Sequence, residues 1–261
     1  MTEDFVLRAD SGAVAVLTLN RPAVRNCFDR RMALRLQEHL AACAADTRVR
    51  AVVLTGAGPG FCAGQDLNEF MACPEPGRIR ATVEACYNPT IRAIRDLERP
   101  VVCAMNGTAA GAGANLALAC DFVIAAESAC FIQSFTKIGL VPDSGGSFFL
   151  PRLVGMARAT ELILLGDKLP AAEAARWGLI HRAVPDPDLM EAAMALARRL
   201  AGMPTRALGM SKRLINAGVV NPLDAQLDLE RDVQAEAGGT ADFREGVAAF
   251  LEKRPPRFEG R

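Results

Sequence analysis

Through the first half of this chain, strand-like and helix-like segments alternate at a spacing that suits a parallel sheet with crossover helices and little else. Residues 14–19 and 49–55 are runs rich in β-branched side chains. They end in Asn-Arg-Pro and Gly-Ala-Gly-Pro-Gly, residue types that turn a chain. Between them Asp29 is placed to cap a helix whose apolar positions Met32, Leu34, Leu36 and Leu40 recur near helical spacing. A second helix is predicted over 79–97, with Ile91, Ile94 and Leu97 on one face. Strand-like 101–105, a short Ala/Leu helix ending at Ala119 and strand-like 122–125 follow. Units this closely spaced pair in parallel through right-handed crossovers. From about Gly155 the pattern turns helical, over 156–165, 171–177, 189–200, 205–217, 222–237 and 242–252. The expectation is an α/β core over residues 1–200 and a helical region over 201–261. The segment 72–77, with Pro74, Pro76 and Gly77, reads as a mobile loop or insertion.

Composition narrows the function classes. Lys+Arg and Asp+Glu both number 30, so the formal net charge is zero. Nucleic acid as the main partner demands a basic field and is not expected. A local basic patch for a phosphorylated ligand stays compatible. The apolar stretch 109–126 is broken by Asn115 and Asp121, against a membrane span. The start, Met1-Thr2-Glu3-Asp4, has neither a basic n-region nor an apolar h-region, so a cytoplasmic protein is expected. The eight cysteines, Cys27, Cys43, Cys62, Cys73, Cys86, Cys103, Cys120 and Cys130, form no C-x-x-C pair. They read as reduced thiols packed as small hydrophobes.

Two turns and one carboxylate carry the chemistry. Asn106-Gly107-Thr108-Ala109-Ala110-Gly111-Ala112-Gly113-Ala114-Asn115 follows a strand and opens a helix. Its glycine spacing is not G-x-G-x-x-G, and no Lys-Ser/Thr follows to make a phosphate loop. Its glycines serve either close strand–helix packing or the presentation of backbone N–H groups to a ligand. Gly60-Phe61-Cys62-Ala63-Gly64-Gln65-Asp66-Leu67 also follows a strand. Parallel strands bring both turns to one carboxyl edge, where two N–H groups can share one oxygen atom. Asp143, in Gly139-Leu140-Val141-Pro142-Asp143-Ser144-Gly145-Gly146, has two readings. It caps a helix, or, buried among Ile138, Leu140, Val141, Phe148 and Phe149, it has a raised pKa and transfers protons. Nucleophilic alternatives are weak, because Cys62 has only His39 and His181 as possible bases and Ser144 lacks the G-x-S-x-G elbow. No metal-ligand cluster is visible, and none is expected.

Together these segments resemble the crotonase, or enoyl-CoA hydratase/isomerase, superfamily along essentially the whole chain. The other matching stretches are Leu19-Asn20-Arg21-Pro22, Val53-Leu54-Thr55-Gly56, Ala174-x-x-Trp177-Gly178-Leu179-Ile180 and the run from Glu245 to Arg254. The resemblance implies a ββα superhelix core with a C-terminal helical trimerisation region, assembled as a homotrimer or a dimer of trimers. It implies an oxyanion hole from the backbone N–H groups of Gln65 and Ala112, and an acyl-CoA substrate with no separate cofactor. The coenzyme A part would lie along Ala23, Val24 and Arg25 and along Ala63, Gly64, Asp66, Leu67 and Gly111. Phe250 and Lys253 would reach a neighbouring subunit's ligand, although Lys253 equally reads as a solvated helix end.

The two catalytic glutamates of the family's hydratases correspond to Asn115 and Phe135, so this chain departs from them at both. If those carboxylates are what hydration lacks, glutamate at both positions would add hydratase activity. Gly64-Gln65-Asp66-Leu67-Asn68, Tyr87-Asn88-Pro89, Leu140 to Gly146 and Leu227-Asp228-Leu229-Glu230-Arg231-Asp232 are similar instead to the family's isomerases of ring-1,2-epoxyphenylacetyl-CoA, in which the matching aspartate is catalytic. The activity so implied is an acyl-CoA isomerisation with Asp143 moving the proton. Either a ring epoxide opens to an oxepin, or a 3-enoyl double bond moves to the 2-position. Weak hydration, thioester hydrolysis, C–C cleavage and non-catalytic binding are the alternatives.

Overall fold

The computed structural model describes residues 4–72 and 75–261. Met1–Glu3, Cys73 and Pro74 lie outside the described residues, and with them most of the start read for a leader and the middle of the 72–77 segment. The chain builds two sheets in alternation. β1 (Val6–Ser11) and β2 (Val14–Leu19) form an antiparallel hairpin. β2 then pairs in parallel with β3 (Ala51–Gly56). The chain next enters a second sheet as β4 (Gly60–Cys62). It returns to the first as β5 (Val101–Met105) and crosses again as β6 (Thr108–Ala110). The step repeats with β7 (Phe122–Ala126) and β8 (Cys130–Ile132). With β9 (Lys168–Pro170) and β10 (Arg182–Val184) added, the orders are β1-β2-β3-β5-β7-β10 and β4-β6-β8-β9. Each pair of strands is followed by helix, which makes the expected ββα superhelix.

The first sheet follows the β-branched runs closely because both its faces are buried. Val52, Val53, Val101, Val102 and Cys103 have no exposed surface. α1 (Arg30–Ala45) starts where the capping residue places it, with Asp29 accepting a hydrogen bond of 2.7 Å from the Met32 N–H. Met32, Leu36 and Leu40 are buried and Leu34 is half-buried. The helix predicted over 79–97 is instead three pieces. After α2 (Leu67–Met71) come α3 (Arg78–Thr82), a wide π-type turn over Val83–Tyr87, and α4 (Asn88–Asp96). Pro89 explains the break: it has no N–H to give the carbonyl of Ala85 four residues back. The Asn88 N–H reaches back to Val83 instead, and Gln37 Nε2 donates to the Ala85 and Cys86 carbonyls at 3.3 and 3.0 Å.

α5 (Ala112–Leu118) and α6 (Gly146–Leu165) follow β6 and β8. α6 is interrupted at Gly155, whose φ is 77°, so the segment read as 156–165 is its second half. α7 (Ala171–Arg176) leads to β10, and α8 (Leu189–Ala201) lays Ala193, Met194, Ala197 and Leu200 over the first sheet. α9 (Thr205–Gly218), α10 (Leu223–Gly238) and α11 (Ala241–Leu251) complete the chain. Residues 200 and 201 stand at the C-terminal end of α8. Beyond them α9 is fastened to the α/β layer by a buried ion pair. Lys212 Nζ lies 2.8 Å from Asp121 Oδ2 and donates to the Ile94 carbonyl at 2.7 Å. On α10, Leu223 and Leu227 are exposed, Leu229 is half-buried and Val233 is buried. Among the described residues no helix is long and apolar enough to cross a membrane.

Lys212 is the testable joint. Methionine at this position keeps the aliphatic stem and removes the charge, leaving Asp121 the Arg95 guanidinium at 3.4 Å and the Val101 N–H at 2.8 Å. The Lys212→Met variant should lose roughly 3 kcal/mol, the low end of the cost of breaking a buried pair, because Arg95 still faces the acid. Equilibrium denaturation measures it. A loss below about 0.5 kcal/mol would put the pair among the weak exposed ones.

Candidate active site

The two glycine-rich turns meet at the end of the second sheet, around a cavity of about 440 Å3. Its polar wall carries Gly64, Gln65, Gly111, Ala112, Tyr87 and Asp143, and its apolar wall Leu67, Phe70, Ile79, Phe135 and Leu140. Both turns follow parallel neighbours of the first sheet, β3 and β5, as expected, and each also contains a short strand. These strands, β4 and β6, pair in parallel, and that pairing aligns the turns. Three-residue strands are too short to show an alternating pattern, so neither was legible.

Both candidate oxyanion donors are unspent. Phe28 bridges Gln65 in parallel, but through the flanking groups: Phe28 N–H donates to the Gly64 carbonyl at 2.6 Å, and Asp66 N–H donates to the Phe28 carbonyl at 2.9 Å. In a parallel ladder alternate residues face opposite sides, so the Gln65 N–H points away from Phe28. Ala112 opens α5, where an N–H has no acceptor within the helix. Among the described residues neither N–H makes a hydrogen bond. Gly64, at φ 89°, is required where it stands, since a Cβ there would lie 2.8 Å from the Ala110 carbonyl oxygen and 3.7 Å from the Ala112 nitrogen.

Asp143 faces the same cavity. The helix-cap reading fails, because α6 begins at Gly146, its cap residue is Gly145, and no side chain caps it. The Asp143 carboxylate accepts from the Ser144 hydroxyl next to it, at 2.9 Å. Burial raises its pKa to about 6, against the Ser144 bond, which lowers it. The sequence reading of the flanking residues needs correction. Ile138, Leu140, Val141 and Phe148 are all exposed, and of these Ile138 and Leu140 line the cavity, so Asp143 is buried by the assembled wall and not by its sequence neighbours alone. Tyr87 stands opposite, its hydroxyl donating to Gln65 Oε1. Its pKa is raised, first by burial and then by the charge of Asp143.

The remaining candidates divide. Ala23, Val24 and Arg25 form an exposed turn beside the site, joined to it by the Ala63 N–H donating to the Arg25 carbonyl at 3.0 Å. Ala63, Leu67 and Gly111 line the cavity. Asp66 does not. Its carboxylate caps α2 through the Asn68 and Glu69 N–H groups and pairs with Arg21 at 2.8 Å, so its role is to hold the turn. Phe250 and Lys253 are exposed at the end of α11, and within this chain they are not brought to the cavity. Phe135 is buried against the site, and Asn115 lies behind it with no exposed surface. Cys62 is buried and its pKa is pushed up to about 12 by desolvation, which removes it as a nucleophile at neutral pH. Sequence reasoning quoted Tyr87 only within Tyr87-Asn88-Pro89 and gave its hydroxyl no role, and it assigned none to the Ser144 hydroxyl beside Asp143 or to Gln133. Only Tyr87 left a signal, through the Pro89 that widens the turn carrying it.

A family model described as enoyl-CoA hydratase/isomerase matches residues 9–261. The chain belongs to the enoyl-CoA hydratase/isomerase family. It is 50% identical over 260 residues, 99% of each chain, to the 1,2-epoxyphenylacetyl-CoA isomerase of Escherichia coli strain K12. It is 51% identical over 251 residues, 96% of each chain, to a Rhodobacter capsulatus protein named "Probable enoyl-CoA hydratase". The crystal structure of an enoyl-CoA hydratase from Bacillus anthracis matches it with a TM-score of 0.94 at 35% identity, covering 98% of this chain and 100% of that one. The crotonase-like fold is therefore common to this chain and its enoyl-CoA hydratase/isomerase relatives.

A buried carboxylate in this family member has a consequence for stability. The folded pKa of Asp143 is above that of a free carboxyl, so its ionisation costs the fold free energy. The penalty is absent below about pH 4, grows as pH rises to about 6, and is constant above. Asp143→Asn should therefore stabilise the fold above pH 6, by about 1–2 kcal/mol once partial solvent exposure is discounted, and not below pH 4. Melting curves of the two proteins across that range provide the measurement, and a pH-independent difference would contradict it.

Proposed function

We propose that this chain is an acyl-CoA isomerase. One observation carries the reading: among the described residues that line the cavity, Asp143 is the one carboxylate, and it faces two unspent backbone N–H groups. A thioester oxygen seated between Gln65 and Ala112 turns its acyl group into an electron sink, each donor contributing roughly 3–4 kcal/mol in the transition state. Charge leaving the acyl chain spreads onto that oxygen while Asp143 removes or returns a proton. This apparatus supports opening of ring-1,2-epoxyphenylacetyl-CoA to its oxepin, and the shift of a 3-enoyl double bond to the 2-position. Neither reaction consumes water. Addition of water needs a second group to orient and activate it, and Phe135 occupies the cavity wall where that group stands in the hydratases. The relatives' names include both activities, and the site's single carboxylate favours the isomerase.

The adenine end of coenzyme A, which belongs to the substrate and is not a separate cofactor, lies along Ala23, Val24 and Arg25 in this reading. Gly64, Leu67 and Gly111 hold the part nearer the thioester. The protein acts in the cytoplasm as a homotrimer, or a dimer of trimers, built through the helices of 201–261. Phe250 and Lys253 then serve the neighbouring copy's ligand.

Product identification on a panel of ring-epoxide, 3-enoyl-CoA and crotonyl-CoA esters tests the reading. Isomerised products with little hydration are expected, and efficient hydration of crotonyl-CoA would overturn it. In Asp143→Asn, substrate affinity should stay within about threefold while turnover falls by a factor of 100 or more, as when a group acting only in the transition state is removed. With Asp143 as the base, kcat/KM of the wild type should rise with pH through about 6. A flat profile from pH 5 to 8 would assign the proton transfer to another group.

A further inference from the structure

The turn that carries Asp143 is strained, and two buried amides meet it. Asp143 to Gly146 form a turn closed by the Gly146 N–H donating to the Asp143 carbonyl at 2.9 Å. Both central residues have positive φ, 51° at Ser144 and 80° at Gly145. A left-handed serine persists only where its surroundings fix it. Asn115 Nδ2 donates to the same Asp143 carbonyl at 2.9 Å. Gln133 Nε2 in turn donates to Asn115 Oδ1 at 3.0 Å.

Acceptors and donors allow one arrangement only. A carbonyl can only accept, so Asn115 must turn its NH2 toward Asp143. Its oxygen then needs a donor, which Gln133 supplies. The result leaves Gln133 Oε1 as the one buried side-chain polar atom without a partner among the described residues. An unpaired buried oxygen costs free energy, and the order of the relay imposes that cost. Asn115 has no exposed surface and Gln133 is 2% exposed, so water does not compete.

We infer that Asn115 and Gln133 form an amide relay whose role is to position Asp143 for proton transfer. Gln133 acts through Asn115 and is a positioning residue. The inference rests on the isomerase reading for its kinetic consequence only. It bears on the expectation that glutamate at both 115 and 135 adds hydration, because the change at 115 would also disturb the relay. A carboxylate there would set a second acceptor against the Asp143 carbonyl, and the side chain already touches Gly146, where a Cβ would come within 2.4 Å of Asn115 Nδ2.

Two variants test the relay. Gln133→Met keeps the length and removes the donor. Gln133→Glu donates to Asn115 only while protonated. Titratable neighbours are few: Tyr87 faces Asp143 across the cavity, α5 carries none, and Lys137 after β8 pairs with Asp167. In folded Gln133→Met, kcat should fall roughly ten- to a hundredfold with KM within about twofold, the effect of a small misplacement of the catalytic group. Its Asp143 carboxyl, followed by 13C NMR against Asp143→Asn, should titrate below the wild-type value of about 6 as the turn loosens toward solvent. In Gln133→Glu, activity relative to wild type should be highest at low pH and drop as the new carboxyl ionises.

Folded variants with kcat within about twofold of wild type at every pH, and an unmoved Asp143 titration, would overturn the relay. So would variants that lose stability while their folded fraction keeps wild-type kcat, since that is a tie between helix and loop and nothing more. If Gln133→Met does not fold, the pH dependence of Gln133→Glu decides alone. If the wild type isomerises none of the esters, the isomerase reading fails, and the Asp143 titration still reports whether the relay holds the turn.

Discussion

The site depends on one contact between backbones, the parallel pairing of β4 with β6. These three-residue strands are held by burial of Phe61, Cys62 and Ala109 and by close approach, and glycine makes that approach possible. A Cβ at Gly107 would lie 2.3 Å from the Pro59 carbonyl oxygen, and one at Gly113 would lie 2.2 Å from that of Cys62. No side chain fits at either place. Once the two turns are in contact, their N–H groups need no side chain to aim them. Phe28 fixes one by pairing with its neighbours, and the start of α5 fixes the other. The donors are therefore rigid before any ligand arrives, which is the condition for electrostatic stabilisation without reorganisation.

That geometry explains why four strands of the first sheet, β2, β3, β5 and β7, were legible in the sequence and the second sheet was not. Runs such as 101–105 are buried on both faces and announce themselves by β-branched and apolar content. β4, β6, β8 and β9 are shorter than any period they could display. Their presence was visible only through the glycines and through family resemblance. The broken helix over 78–96 shows the opposite case. Its signal, Pro89, was present, but the outcome depended on Gln37, a residue from α1 that takes the carbonyl Pro89 cannot serve. Tertiary partners of this kind carry no local mark.

Asp143 shows the same division. Its residue type and its flanking glycines suggested either a cap or an acid, and only placement decided between them. The apolar residues around it in sequence do not bury it alone. Val141 and Phe148 are exposed, and Ile138 and Leu140 form the wall only together with Tyr87, Ala112 and Phe135. The raised pKa is thus a property of the assembled cavity. It also costs stability at neutral pH, as expected where function requires an ionisable group in an apolar wall.

The same economy governs what surrounds the carboxylate. Its turn adopts a conformation that serine disfavours, and the amides that hold the turn leave one buried oxygen unpaired. Stability alone would select against each of these features. Their convergence on the backbone of one residue is explained if the position of Asp143 relative to Gln65 and Ala112 matters more than the free energy spent to keep it. In a site with two carboxylates, an error in placing one can be shared by the other. With one, the whole reaction coordinate for the proton runs through a single side chain. Rigidity must then come from the backbone that bears it, and Asn115 grips that backbone at the carbonyl of Asp143 itself.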